Sequence, residues 1–287
     1  YQAPGKSKIG EVEPVWDQAA RACEDLIREP GFDGDMLVFM PGGHEIRKTI
    51  AAIQGRSFSR NLRVLPLHGE LSPQDQDAAV TPGPQRRIIV STNVAETSLT
   101  IEGIRAVVDG GLARMAGYDA RRGINTLTVQ RISRASAEQR AGRAGRLGPG
   151  IAVRLWPERE HLHRAECEAP EIHRLELSET VLATRVAAER ARLDIKWFEP
   201  PLPSALERAE RLLHDLGAVD HDNRITSLGI KMSAFPLEPR FARMLLAAAE
   251  QGCLEDAAVC AAIAQGREIL MATQKQSHRG NEDFWAG

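Results

Sequence analysis

Three side chains near the middle of the chain are spaced to act together. Gln139, Arg143 and Arg146 fall at i, i+4 and i+7, so a helix through them presents one amide and two guanidinium groups on a single face. Ser136 and Gln139 have the spacing of a capping box, which predicts that this helix starts at Ser136. A planar guanidinium fork can hold two oxygens at once and keeps its charge throughout turnover, so the chemistry it suits is polyphosphate recognition. Gly142 and Gly145 interrupt the same segment at a cost of about 1 kcal/mol each relative to Ala. That cost predicts a phosphate or a second domain coming close to the backbone.

A second concentration of polar groups runs from Thr92 to Gly103 and holds Thr92, Asn93, Thr97, Ser98, Thr100 and Glu102. Hydroxyls and backbone N–H groups in such a loop can hold the phosphates of a nucleotide or of a nucleic-acid backbone. Taken without the arginine segment, it reads equally as a Thr/Ser-rich capping loop. Two other candidates lead nowhere. Gly5-Lys6-Ser7 lacks the earlier glycine and the preceding strand of a phosphate loop, which leaves a polar terminal turn. His161, His163 and Cys167 lack a fourth ligand at zinc spacing and read as solvated surface.

The elements that position these groups alternate. Residues 15–28 place Val15, Ala19, Ala22 and Leu26 at helical spacing. The apolar run 36–40, closed by Pro41, Gly42 and Gly43, predicts a buried parallel strand, and 44–54 a helix. The unit recurs at Arg63–Leu67 with a helix from Ser72, at Arg87–Thr92 with a short turn, at Ala106–Asp109 and at Ile151–Trp156. The predicted fold class is α/β, a parallel sheet flanked by helices, with ligands outside the carboxyl ends of its strands. Past residue 165 Ala, Leu, Glu and Arg dominate, with helical periodicity in 178–192, 204–216, 239–251 and 254–265. Gly217 ends the second of these helices, and 217–229 predicts a small β-wing, so this part reads as a winged-helix module.

The 287 residues suit two domains or one large one, and 43% hydrophobic with 26% charged residues excludes collagen-like, coiled-coil and disordered chains. No apolar run approaches the roughly 20 residues of a membrane span, and no secretory signal opens the chain, which predicts a cytoplasmic location. Net charge is −2, so bulk charge announces no nucleic-acid partner, yet between Arg114 and Arg164 eleven arginines stand against four acids. The four cysteines have neither disulfide nor zinc spacing. A first residue of Tyr rather than Met predicts that the chain was excised from a longer one.

In order the chain carries LVFMPGGHEI at 37–46, PLHGELSPQDQ at 66–76, STNVAETSLTIEGI at 91–104 and QRAGRAGR at 139–146. This set resembles the second RecA-like domain of DEAH-box, superfamily-two RNA helicases, most of all the bacterial HrpB type. ELSETVL, the PPLP turn, ITSLG and FPLEPRFARML resemble the winged-helix domain of that family and the start of its helical ratchet domain. The domains implied are 1–165, 166–235 and 236–287.

The resemblance implies that Gln139, Arg143 and Arg146 meet the γ-phosphate, the two arginines as fingers. It places Thr92, Asn93, Thr97, Gly69 and Glu70 on the RNA backbone and Ser98, Thr100 and Glu102 nearer the nucleotide. Val80 stands where relatives stack an aromatic ring on the base. Leu112 to Arg131 resembles the long β-hairpin of the family, where Arg114, Arg121 and Arg122 suit a strand-separating wedge against a mere brace of the helical domains. The implied cofactor is ATP with Mg²⁺, whose metal ligands belong to a first RecA-like domain not contained in this chain. The implied partners are RNA and that missing domain, with no membrane. The implied activity is ATP-dependent RNA helicase in the whole protein, with this part alone inactive. A non-catalytic RNA-binding or docking module and a DNA-directed motor are the competing classes.

Overall fold

The computed structural model describes residues 1–5, 12–97, 99–146, 148–191 and 196–265. They form two compact units. The first contains Tyr1–Gly117 and Asn125–Pro170; the second contains Tyr118–Ile124 and the chain from Glu171 onward.

In the first unit the elements follow one another as α1 (Val15–Arg28), β1 (Asp35–Phe39), α2 (Gly43–Gln54), β2 (Arg63–Leu67), α3 (Pro73–Val80), β3 (Arg87–Ser91), α4 (Val94–Thr97) and β4 (Ile104–Asp109). A hairpin of β5 (Leu112–Asp119) and β6 (Ile124–Arg131) precedes α5 (Arg134–Ala141), β7 (Ile151–Arg154) and α6 (Glu158–Leu162). Five strands pair in parallel in the order β2-β3-β1-β4-β7, with Leu37 opposite both Ile89 and Val107. The central strands are apolar at successive positions because both faces are covered. Met36, Val38, Ile88, Val90, Ala106 and Val108 pack with Ala19, Cys23 and Leu26 of α1 and with Ile46 and Ile53 of α2. Leu37, Phe39, Ile89 and Val107 face the other way, toward Ala79 of α3, Ala95 of α4 and Ala144. The predicted α/β sheet is therefore present, its strand ends displaced by a residue or two.

Turn chemistry closes the units. Ser72 caps α3 by accepting from the Asp75 backbone N–H at 3.2 Å, with Pro73 in the first turn. Gly111, with φ +72°, starts the hairpin, and a Cβ there would lie 2.6 Å from the Trp156 ring. Only glycine suits both the backbone angle and the space.

The second unit continues with α7 (Glu171–Arg174), α8 (Ser178–Ala191), α9 (Pro203–Asp215), α10 (Ser227–Met232), α11 (Pro239–Gln251) and α12 (Leu254–Gln265). Its core sets Val181, Leu182 and Val186 of α8 against Ala205, Ala209 and Leu213 of α9, with Met232 and Ala242 beside them. Gly217 takes φ +73° just past α9, as its C-terminal position demands. The wing predicted over 217–229 is reduced to one antiparallel bridge, Val219 with Ile225. Thr226 turns the chain into α10 by capping the Gly229 N–H at 3.0 Å, so the returning strand has no length to grow. Among the described residues no helix is long and apolar enough to cross a membrane.

Candidate functional site

Parallel strands put successive loops at the same edge of a sheet. Past β2 the chain turns through Gly69 and Glu70, both exposed, with the Leu71 N–H on the His68 carbonyl at 3.2 Å. Past β3 come Thr92, whose N–H donates to the Leu67 carbonyl at 3.1 Å, and exposed Asn93. Met40 N–H reaches the Ser91 carbonyl at 2.8 Å, so the loops after β1, β2 and β3 lie side by side. Thr97 ends the single turn of α4 and is exposed.

The rest of that loop leaves this edge. Because β3 and β4 are parallel, the chain between Ser91 and Ile104 must recross the length of the sheet. Thr100 and Glu102 are exposed beside the start of β4. Gly69, Glu70, Thr92 and Asn93 thus lie past the carboxyl ends of the strands, and Thr100 and Glu102 lie by the start of β4. Ser98 lies outside the described residues. The Glu102 carbonyl is held by Arg87 at 2.8 Å, a side chain that also donates to Asp35 Oδ2 at 2.8 Å and to the Thr81 carbonyl at 2.7 Å. Arg87 is 2% exposed, and its charge is matched by Asp35 in the dry interior.

The arginine segment is not the continuous helix its spacing predicts. The N-cap of α5 is Ser133, not Ser136; its Oγ accepts from the Ser136 N–H at 3.1 Å and donates to Glu168 Oε2 at 2.5 Å. The helix stops at Ala141, with Gly142 as C-cap, because two glycines in four residues withdraw the propensity to continue. Exposed Gln139 stays on the last turn, while Arg143 and exposed Arg146 lie in the turns beyond it. A Cβ on Gly145 would meet nothing within 4 Å, and one on Gly142 would meet only carbonyls of its own turn. The close neighbour predicted for these glycines is thus not a group among the described residues.

Arg143 donates to the Leu99 carbonyl at 2.8 Å and to the Glu96 carbonyl. Burial, and then the nearby Arg146 charge, lower its pKa from the ordinary guanidinium value, with Glu96 opposing. Among the described residues neither Arg143 nor Arg146 forms an ion pair with a carboxylate. The nearby carboxylate, Glu96, already pairs with Arg140, so positive charge is in excess around these two neighbouring cations.

Sequence reasoning passed over the residues beneath. Arg140 is 1% exposed; its Nε donates to Glu96 Oε2 at 2.9 Å and its Nη1 to Asp109 Oδ1 at 2.9 Å. Ser136 donates to Glu96 Oε1 at 2.8 Å. The available signal was the i, i+4 spacing of Ser136 and Arg140. The reading of 161–167 as surface also needs correction. His161 is buried between the rings of Tyr1, at 5.4 Å, and Trp156, at 6.3 Å, whereas His163 and Cys167 are exposed.

At the hairpin turn Arg121 and Arg122 are exposed, and both backbone N–H groups bond Asp119 Oδ1, at 2.9 and 3.4 Å. Within the second unit, Arg208 lies over the Tyr118 ring at 5.2 Å, and a Cβ on Gly123 would come 3.1 Å from Arg240.

A five-stranded parallel sheet in the order β2-β3-β1-β4-β7, with helices on both faces, makes the first unit a RecA-like domain. Residues 18–148 match the helicase conserved C-terminal domain, 209–237 the winged-helix part of the helicase associated domain, and 238–285 its ratchet-like part. The chain is 37% identical over 271 residues to the ATP-dependent RNA helicase HrpA of Escherichia coli, covering 92% of this chain and 21% of that protein. It is 39% identical over 249 residues to HrpB of the same organism, covering 86% and 30%. With a probable ATP-dependent RNA helicase of Caenorhabditis elegans, the DHX35 homolog, it shares 36% over 257 residues, covering 86% and 35%. A crystal structure of the Escherichia coli DEAH/RHA helicase HrpB superposes with a TM-score of 0.81 at 35% identity, covering 93% of this chain and 34% of that one. The chain belongs to the DEAH-box, HrpB-like helicases and comprises their second RecA-like domain, winged helix and the start of the ratchet domain. It spans 21 to 35% of the length of these relatives.

Proposed function

We propose that this chain is the C-terminal motor half of an ATP-dependent RNA helicase, with its RecA-like domain over 1–165, a winged helix over 166–235 and the ratchet domain beginning at 236. The observation that carries the reading is the pair Arg143 and Arg146, adjacent and without a carboxylate partner among the described residues, in the turn after α5. When a first RecA-like domain presents ATP, these guanidinium groups neutralise charge developing on the γ-phosphoryl, with Gln139 as a third donor. Such an arginine finger contributes roughly 10³- to 10⁵-fold to turnover. Thr100 and Glu102 meet the nucleotide beside the start of β4, and Ser98, outside the described residues, is assigned to the nucleotide from the motif alone. Gly69, Glu70, Thr92, Asn93 and Thr97 meet the RNA backbone at the other edge of the sheet.

The Mg²⁺ of ATP screens phosphate charge, and we assign its ligands to the first RecA-like domain. Among the described residues no three His, Cys, Asp or Glu side chains converge on a metal site. Arg121 and Arg122 at the hairpin turn face the strand junction. The parent protein is proposed to work in the cytoplasm. ATP turnover by the parent protein with saturating RNA or single-stranded DNA tests the reading: RNA should stimulate it strongly and DNA weakly. Equal stimulation would favour a DNA-directed motor, and no turnover a docking module.

A further inference from the structure

One buried guanidinium joins three segments of the first unit. Through Glu96, Arg140 grips α4, the turn that begins just past Thr92 and Asn93. Through Asp109 and the Leu112 carbonyl, the latter at 3.3 Å, it grips the root of the hairpin, where Asp109 Oδ1 also accepts the Gly111 N–H at 2.8 Å. Its own backbone leads directly into the turn that carries Arg143. Glu96 is the junction: its carboxylate takes Ser136 and Arg140, while its carbonyl takes Arg143. The Phe39 ring lies under the guanidinium, 4.7 Å from it to centroid, and leaves Arg140 little room to reorient.

Simple fold stabilisation is a poor account of this cluster. Buried ion pairs are often matched or bettered by apolar residues of similar size, because desolvation offsets the attraction. Here one cation serves two carboxylates, and Asp109 Oδ2 is buried without a hydrogen-bond partner among the described residues. What the cluster does supply is geometry. A planar fork with two occupied arms fixes α4 relative to the hairpin root, and α4 is a four-residue turn whose Ala95 N–H reaches the Thr92 carbonyl only at 3.4 Å. A displacement at Thr92 or Asn93 therefore passes along the short main chain of α4 to Glu96, whose carbonyl holds the Arg143 guanidinium and whose carboxylate holds Arg140.

We propose that Arg140 is a positioning residue, and that the Glu96–Arg140–Asp109 chain couples nucleic-acid binding at α4 to the placement of Arg143 and of the hairpin root. The proposal rests on the nucleic-acid reading of Thr92 and Asn93 and on the phosphate reading of Arg143. Coupling between sites carried by such an element is commonly worth a factor of roughly 5 to 150.

The test uses the full-length parent protein and measures ATP turnover without and with a saturating RNA oligonucleotide, RNA affinity, and melting temperature. Glu96→Gln preserves shape and an acceptor for Ser136 but weakens the grip on Arg140. It should lower the factor of RNA stimulation about tenfold while RNA-free turnover and RNA affinity stay within about twofold of wild type. Ser136→Ala, which removes only one hydroxyl donor and is the milder change for folding, should move the factor in the same direction by less. In a double-mutant cycle, Glu96→Gln with Ser136→Ala should lose less than the product of the single losses, because both act on one carboxylate. A stably folded Glu96→Gln with unchanged stimulation overturns the proposal, as does an equal fall in turnover with and without RNA, which marks a brace for the fold. A wild-type parent that RNA does not stimulate overturns the helicase reading itself, and the coupling with it.

Discussion

The guanidinium of Arg143 is bonded to the main-chain carbonyl of Glu96, on the one helical turn that separates the proposed RNA contacts from the rest of the crossover loop. A single residue thus lies between the group proposed to meet phosphate and the loop proposed to meet RNA. Its bonds to the Glu96 and Leu99 carbonyls use two of the five guanidinium N–H groups of Arg143, and the other donors can take phosphate oxygens. Arg146 is exposed.

The chain by itself should not hydrolyse ATP, since it offers arginines without a phosphate cradle. It should bind single-stranded RNA weakly, with affinity falling steeply as salt rises, because the contacts proposed for it are to the backbone. Titrations at several salt concentrations check this, and salt-insensitive binding would contradict it.

Removing Asp35 should be among the most damaging single changes in the first unit. Asp35→Ala leaves Arg87 buried with only carbonyl partners, at a cost of about 3–5 kcal/mol as for other broken buried pairs. Urea denaturation measures it, and a loss below about 1 kcal/mol would place the pair among ordinary surface bridges.

Acidification should weaken the first unit through His161. Burial first, and then the neighbouring charge of Arg154, hold its pKa below the ordinary imidazole value. The unfolded chain therefore takes up the proton before the folded one. This stability is complete above the ordinary imidazole pKa and is lost as the pH falls through it toward the lower folded value. Melting curves between about pH 7.5 and about pH 5.5 should show a decline that His161→Phe, an aromatic replacement between Tyr1 and Trp156, makes shallower. The same decline in both proteins would remove His161 as its source.

Changing Arg121 and Arg122 together to Glu should impair duplex unwinding by the parent protein far more than its RNA-stimulated ATP turnover. Both side chains are exposed, so melting temperature should hardly move. Equal loss of unwinding and turnover with a lower melting temperature would make the hairpin a brace.

Much of the fold was legible because its signals are local. Short apolar runs closed by glycine or proline mark the buried strands, and the hairpin from Leu112 to Arg131 follows from its motif and from Gly123, which takes φ +69°. Local pattern misled where two signals competed. The i, i+4, i+7 spacing of Gln139, Arg143 and Arg146 promised one helical face, but Gly142 ends the helix first. The wing at 217–229 is limited to the Val219–Ile225 bridge because Thr226 caps a helix where a longer second strand was expected. Arg140, Glu96, Asp109 and the buried His161 were illegible for another reason: a charged or polar residue looks exposed in sequence until its partners, 44 and 31 positions away for Arg140 with Glu96 and Asp109, are brought to it by the fold.

The most direct test of the motor reading is Mg²⁺-ATP turnover of the full-length parent protein at saturating RNA, with Arg146→Ala measured beside wild type. Arg146 is exposed, so the variant should keep its melting temperature while turnover falls roughly 10³-fold, as for other arginine fingers. Near-normal turnover in the folded variant would contradict the account and leave the turn after α5 a basic surface without a role in hydrolysis.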